Sequence, residues 1–303
     1  MNRLLGKDYN FAEFEDVENV HNLIERLKKY KSVKGNAVWS ATNVNNCLTA
    51  LSVFYKQMIK DKVHGITYNP FTDRQIAESR DPRLPLTREE LLLFWKLVKA
   101  LPYKKSSDFW IILILLYTGC RIGEVCQLRV ADIEQDGSVL FFRFKDDPET
   151  DQKLKQARAK RAKYNVVVER FTPVHKELIQ LGFIKYMTEM KRAGKIQLFP
   201  NEKPDDDGRW GQLTTKRIKT LLQRALGKET DKSSHSFRRT FINQFKQNRL
   251  VKDFPENQMF KAMVGHDLIK GKDEDITWDL YADKYEPKAM NKLLQRLDYN
   301  LPE

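Results

Sequence analysis

Several patterns that mark common catalytic sites are missing from this 303-residue sequence. Its three cysteines, Cys47, Cys120 and Cys126, are too few for a disulfide framework and are not spaced like zinc ligands. There is no glycine-rich phosphate loop of the Walker type and no His-Glu-x-x-His zinc pair. The acidic run Asp205–Asp207 precedes a glycine and is typical of a solvated loop rather than a two-metal site. We therefore expect no cofactor and no metal, which leaves chemistry by cations, histidines and a side-chain nucleophile.

Long apolar runs are also missing. The longest, Trp110 to Tyr117, is too short to cross a bilayer. The first ten residues lack the apolar core of a signal peptide. We expect a cytoplasmic protein that has no membrane partner.

What the sequence does have is positive charge. Lysine and arginine number 54 against 41 acidic residues, which gives a net charge of +13. Such an excess favours a polyanionic partner, because each neutralised phosphate releases counterions. Residues 26–62 hold eight basic residues and one acid, after an acidic stretch at 8–25. The charge pattern predicts nucleic-acid binding, although a solvated basic surface would also explain it.

Apolar periodicity predicts a helical beginning. One apolar face combines Val17, Val20, Leu23, Ile24 and Leu27, and a second combines Val44, Cys47, Leu48, Leu51, Tyr55 and Met58. The sequence Asn-Pro-Phe at 69–71 ends this region, and a polar stretch follows. We predict a helical DNA-binding domain at 1–78, a linker at 79–85 and a second domain at 86–303.

The second domain mixes helices with a few strands. A capping box at Thr87 and Glu90 starts a helix, and a buried helix from Ser106 ends near Gly119. Two β-rich runs, Ser138–Phe144 and Tyr164–Phe171, follow. Further helical stretches are predicted at 175–192, 215–226, 237–247, 256–264 and 287–297. The fold class is therefore mainly α with a small antiparallel β-sheet, an α+β arrangement.

Three short segments combine the residue types that phosphodiester chemistry needs. In the first, a helix stops at a glycine and Arg121 begins the next one, in the sequence TGCRIGEVCQL. In the second, HSFRRTF, His235 and Arg238 stand one helical turn apart. In the third, VGH, His266 is followed later by Tyr281.

These segments resemble the first arginine box, the His-x-x-Arg box and the final box of the tyrosine recombinases, the class that includes phage and genomic-island integrases. Their order and separations match across residues 85–303, and the helical region before them resembles the core-binding domain of that family. The resemblance implies that Arg121 and Arg238 grip the scissile phosphate. It also implies that Tyr281 is the nucleophile and that His235 and His266 assist proton transfer. Glu124 would orient the arginine box or form a simple ion pair with Arg121.

The family also uses a lysine on the β-hairpin to protonate the leaving oxygen. The family's hairpin ends in an arginine and a proline, which Arg170 and Pro173 match, and this makes Lys163 the best fit. Lys145, Lys155 and Lys160 remain alternatives.

The nucleophile has one alternative, Tyr285. Tyr281 fits a pattern of island and prophage integrases, Thr-x-x-x-Tyr followed by a second tyrosine four residues later. Tyr285 would then provide aromatic packing. His175 opens a helix beyond the hairpin and is not a site candidate.

The resemblance implies a site-specific recombinase that forms a 3′-phosphotyrosyl bond on double-stranded DNA without metal or ATP. A type IB topoisomerase and a non-catalytic DNA-binding protein on the same fold are the alternatives. The apolar stripe Met290, Leu293, Leu294 and Leu297 must be buried either on its own domain or on a neighbouring protomer. In the family the last helix docks onto a neighbouring protomer, so we expect a homotetramer in the synaptic complex, joined through this helix.

Overall fold

The computed structural model describes residues 14, 16–31, 38–63, 66–77, 84–101, 106–144, 170–206, 208–265 and 286–302. The chain divides into two compact units, Met1–Pro82 and Arg83–Glu303, and each has its own hydrophobic core. Within the described ranges, none of the helices combines the length and apolar character needed to cross a membrane.

The first unit is built around helices α1 (Val17–Lys29) and α2 (Ala41–Lys60). Asp16 and Ser40 cap their N-termini, since each side chain accepts a backbone hydrogen bond from the first turn. Both predicted apolar faces contribute to the core, but Val17 lies outside it with 57% of its surface exposed. The buried face of α1 therefore begins at Val20 rather than at Val17.

The second unit follows the predicted order of elements. Helix α3 (Arg88–Lys99) begins at a capping box, in which Thr87 and Glu90 each accept a hydrogen bond from the other's backbone amide. Helix α4 (Ser107–Thr118) is buried from Phe109 onward and ends at Gly119. The later helices are α5 (Ile122–Cys126), α6 (Lys176–Gln180), α7 (Phe183–Arg192), α8 (Gln212–Leu226), α9 (Ser234–Gln247), α10 (Phe254–Val264) and α11 (Pro287–Leu294). The helical stretch at 175–192 is thus interrupted at Gly182, which has a left-handed backbone with φ of 98°.

Three antiparallel strands form a small sheet in the order β1-β2-β3, with β1 at Ile133–Asp136, β2 at Val139–Phe144 and β3 at Arg170–Pro173. Strand β2 pairs with both neighbours, and Phe144 lies opposite Arg170. Strand β2 confirms one predicted run, whereas β1 was not predicted because its sequence, Ile-Glu-Gln-Asp, lacks β-branched and aromatic density. The predicted strand residues 164–169 lie outside the described residues. The mainly helical fold with a small antiparallel sheet is confirmed.

The C-terminal stripe corrects one expectation. Met290, Leu293, Leu294 and Leu297 are all buried in the core of their own unit, where α11 packs against α10 and β3. A docking role for this apolar face on a neighbouring protomer is therefore wrong for this structure. The sequence shows that an amphipathic helix must bury one face, but it does not show which surface covers it.

Candidate active site

Arg121 follows a sharp turn at the end of a buried helix. Gly119 ends α4 with a left-handed backbone, φ 64°, and a Cβ built there would lie 2.5 Å from Cδ1 of Phe241 on α9. Only glycine fits this close approach without a shift of the ring. The chain then turns so that Arg121 stands at the N-terminus of α5 with 55% of its side chain exposed. Its guanidinium is therefore accessible to a ligand.

Glu124 binds both the backbone and the side chain of Arg121. Its Oε2 accepts a hydrogen bond from the Arg121 backbone amide at 2.7 Å, and its Oε1 lies 3.1 Å from Nη1 of the same residue. The carboxylate is buried and also binds Arg170. Burial opposes ionisation, but the Arg170 guanidinium together with the amide and guanidinium of Arg121 holds the pKa of Glu124 below its ordinary value. Glu124 is therefore a fixed negative charge that fastens both the backbone and the side chain of Arg121.

Arg238, from a distant part of the sequence, lies next to the turn that precedes Arg121. It lies on α9 and is buried, and its Nη1 donates to the backbone carbonyls of Gly119 at 2.7 Å and Val264 at 2.5 Å. Burial lowers the pKa of Arg238, and the positive charge of Arg121 lowers it further. Two neighbouring cations, one buried and one exposed, are suited to binding a multiply charged anion.

His235 lies one turn before Arg238, near the N-terminus of α9, and is exposed. That helix begins at Ser233, whose backbone amide donates to Oγ of Ser236 at 3.1 Å. The imidazole therefore stands at the positive end of a helix dipole, on the same side as the buried arginine. The structure thus brings Arg121, Glu124 and Arg238 together, and it places His235 one helical turn before Arg238 on α9.

The other predicted residues, Lys163, His266 and Tyr281, lie outside the described residues, and so do Tyr285 and the alternative lysines 145, 155 and 160. Their roles stay predictions. The described chain reaches Gly265, directly before His266, in a left-handed conformation. Among the residues that the structure describes, no group of histidine, cysteine or carboxylate side chains is arranged to hold a metal ion.

One residue at the site was not predicted to act there. Arg170 was used only as a marker for the end of the hairpin, yet its side chain is 6% exposed and bonds to Glu124. The signal that could have found it is a charged residue in a short strand whose other buried positions are apolar or uncharged. A charge in that position needs a buried partner of opposite sign.

A basic chain that holds two arginines close together, with a histidine one helical turn before the second, defines a class of protein with a site suited to an anion such as phosphate. The comparison with protein families agrees with this class, since residues 86–259 match the model described as the phage integrase family. The chain belongs to that family.

Curated relatives cover different parts of the chain. Tyrosine recombinase XerH of Campylobacter jejuni is 25% identical over 259 residues, which is 82% of this chain and 67% of XerH. Tyrosine recombinase XerA of Pyrococcus furiosus is 28% identical over 111 residues, or 35% of this chain and 34% of XerA. The chain spans between 26% and 67% of the length of the curated relatives it matches.

Solved structures share the fold at low sequence identity. The Tn1549 transposon integrase in complex with a circular intermediate DNA has a TM-score of 0.56 at 19% identity, covering 93% of this chain and 85% of that one. The lambda integrase tetramer bound to a Holliday junction has a TM-score of 0.54 at 14% identity, with 85% and 66% covered.

Proposed function

We propose that this protein is a site-specific DNA recombinase, an integrase that cleaves and rejoins DNA strands through a 3′-phosphotyrosyl intermediate. The observation that carries the proposal is the joint placement of Arg121 and Arg238. Arg238 donates to the carbonyl of Gly119, two residues before Arg121, although the two arginines come from distant segments, and the charge of Arg121 lowers the pKa of Arg238. Names of the relatives support the same activity, since XerH and XerA are called tyrosine recombinases.

The two arginines would hold the two non-bridging oxygens of the scissile phosphate. Arg121 offers an exposed guanidinium that is tied to Glu124 at one nitrogen. In Arg238 the Nη1 is held by two backbone carbonyls among the described residues, so we assign Nε and Nη2 to the phosphate. Fixed donors of this kind stabilise the charge that builds up on the oxygens in the transition state.

The reaction would be a transesterification at phosphorus. The phenolic oxygen of Tyr281 forms a bond to phosphorus while the bond to the 5′-oxygen breaks. The phenolic proton leaves toward His235, His266 or water, and Lys163 donates a proton to the departing 5′-oxygen. The bond energy stays in the phosphotyrosyl link, so a 5′-hydroxyl of another strand can reverse the reaction without ATP or a metal.

Double-stranded DNA with a specific site is the proposed substrate, and the excess of 13 positive charges favours it. We also propose action in the cytoplasm, where that DNA lies, and a homotetramer at synapsis. The lambda integrase structure, a tetramer on a Holliday junction, supports the tetramer. Because the apolar face of α11 is buried on its own unit, contact between protomers would use surfaces other than that face.

The test captures the covalent intermediate. Nicked duplexes with a randomised central segment are incubated with the protein in EDTA, and DNA that stays attached in detergent is sequenced. We expect one enriched sequence joined through its 3′-phosphate to Tyr281. An absolute requirement for added Mg²⁺ contradicts the mechanism, and adduct without sequence enrichment, together with supercoil relaxation, indicates a topoisomerase.

On the selected duplex, Arg121→Ala and Arg238→Ala should each slow single-turnover cleavage by on the order of a hundred- to a thousandfold. Arg192→Ala is the matched control, because Arg192 is an exposed arginine in the last turn of α7. It removes the same charge and should leave the cleavage step unchanged.

A further inference from the structure

Arg170 is a buried arginine to which the proposed reaction assigns no step. It is the first residue of β3, directly opposite Phe144, and its guanidinium lies 4.8 Å from the centre of that ring. Burying an arginine is costly unless its donors are satisfied. The contacts that satisfy it lead to two parts of the candidate active site.

The first set of contacts is a two-pronged ion pair with Glu124. Nη2 of Arg170 lies 2.6 Å from Oε2, and Nη1 lies 3.2 Å from Oε1. The same Oε2 accepts the Arg121 backbone amide, and the same Oε1 accepts Nη1 of Arg121. The Glu124 carboxylate thus binds both arginines. The buried Arg170 orients the carboxylate, and the carboxylate orients the exposed Arg121.

The second set leads toward the final box. Nε of Arg170 donates to the carbonyl of Met263 at 3.2 Å, in the last turn of α10. A Cβ on Gly265 would lie 2.9 Å from Cζ of Arg170, and Gly265 has φ of 57°. The backbone that leads into His266 is therefore packed directly on the Arg170 guanidinium.

We infer that Arg170 is a positioning residue for the proposed recombination reaction. Arg170 orients the Arg121 side chain through Glu124 and fixes the backbone that leads into His266. The inference rests on the proposed function only for its effect on cleavage. Because its side chain is only 6% exposed, Arg170 would act through these contacts rather than on the DNA itself. The fork geometry matters because lysine, a single point charge, cannot bind both carboxylate oxygens and the Met263 carbonyl in one plane.

The test compares Arg170→Lys with Arg217→Lys. Arg217 is a second arginine fork in the same unit, which binds Asp108 and the buried Glu202 and is bonded to neither Arg121 nor Glu124. Both substitutions keep the charge and remove a fork. Only Arg170→Lys should act on the arginine box.

The first readout needs no DNA. The Arg121 amide donates to Glu124, so its hydrogen exchange should be at least tenfold faster in Arg170→Lys and unchanged in Arg217→Lys. Unchanged exchange in folded Arg170→Lys overturns the inference, whether or not the wild type cleaves DNA. If Arg170→Lys does not fold by circular dichroism, Arg170→Gln, which leaves Glu124 in place, replaces it, and the same acceleration is expected.

The second readout is single-turnover cleavage of the selected duplex. Arg170→Lys should keep single-site binding and cleave on the order of a hundredfold more slowly, the size expected for a misplaced catalytic group. In combination with Arg121→Ala it should add much less than its own hundredfold, because the part of its effect that passes through Arg121 is already lost, whereas a purely structural defect would multiply the two effects in full. Multiplied effects overturn the inference, while a wild type that forms no adduct overturns the proposed function instead.

Discussion

Gly119→Ala should destabilise the second unit more than the same substitution at a glycine that also has a left-handed backbone but lies in open space. The left-handed backbone, φ 64°, costs an alanine about 1–2 kcal/mol. The new Cβ would also lie 2.5 Å from the Phe241 ring, and such overpacking costs about 1–3 kcal/mol. Together the loss should be about 2–5 kcal/mol in the free energy of unfolding.

Gly194 provides the matched control for this substitution. It has the same φ of 64°, belongs to the same unit, and a Cβ there meets nothing within 4 Å. Gly194→Ala should therefore cost only the backbone part, about 1–2 kcal/mol. Urea unfolding followed by circular dichroism measures both variants, and the difference between their midpoints isolates the contact with Phe241. Equal midpoints would show that α4 and α9 adjust to the extra methyl group and that the glycine is not required by packing.

Three further predictions concern the chemistry and the pH response. Tyr281→Phe should bind the selected duplex yet form no adduct, while Tyr285→Phe still forms one; the opposite pattern would move the nucleophile. Lys163→Ala should cleave slowly on normal DNA but regain its rate on a 5′-bridging phosphorothiolate, because the thiolate leaves without a proton. If Lys160→Ala regains its rate instead, Lys160 rather than Lys163 is the general acid. Burial lowers the pKa of His175 from 6.5 to about 4, so the unfolded chain binds more protons between these values. Stability should therefore fall as the pH drops from 6.5 to 4, by about 3 kcal/mol in all, and urea unfolding of His175→Asn should lack this part of the slope.

The local parts of the site were predictable because they depend on short sequence spacings. Arg121 and Glu124 are three residues apart at a helix start, a spacing that brings a carboxylate back to the N-terminal amide, and the structure has that contact. His235 and Arg238 share a helix face for the same reason. The roles of these residues in catalysis stay predictions.

Contacts between distant segments were not predictable from periodicity. Arg170 meets Glu124 across 46 positions of sequence, and Arg238 meets Gly119 across 119. Leu293 and Leu294 were expected to seek a neighbour, yet the strand β3 and helix α10 of their own chain cover them. An apolar stripe specifies that burial occurs, whereas the tertiary fold specifies the partner.

The last described residues also have a consequence for the nascent chain. Leu297 and Tyr299 are buried in the core of the second unit, and the Tyr299 hydroxyl donates to the carbonyl of Leu116 in α4. Because synthesis runs from the N-terminus, these side chains are the last of that core to leave the ribosome. The helix that leads to Arg121 therefore lacks this packing partner until every other described element of the unit has been made, so the surroundings of Arg121 are completed late in synthesis.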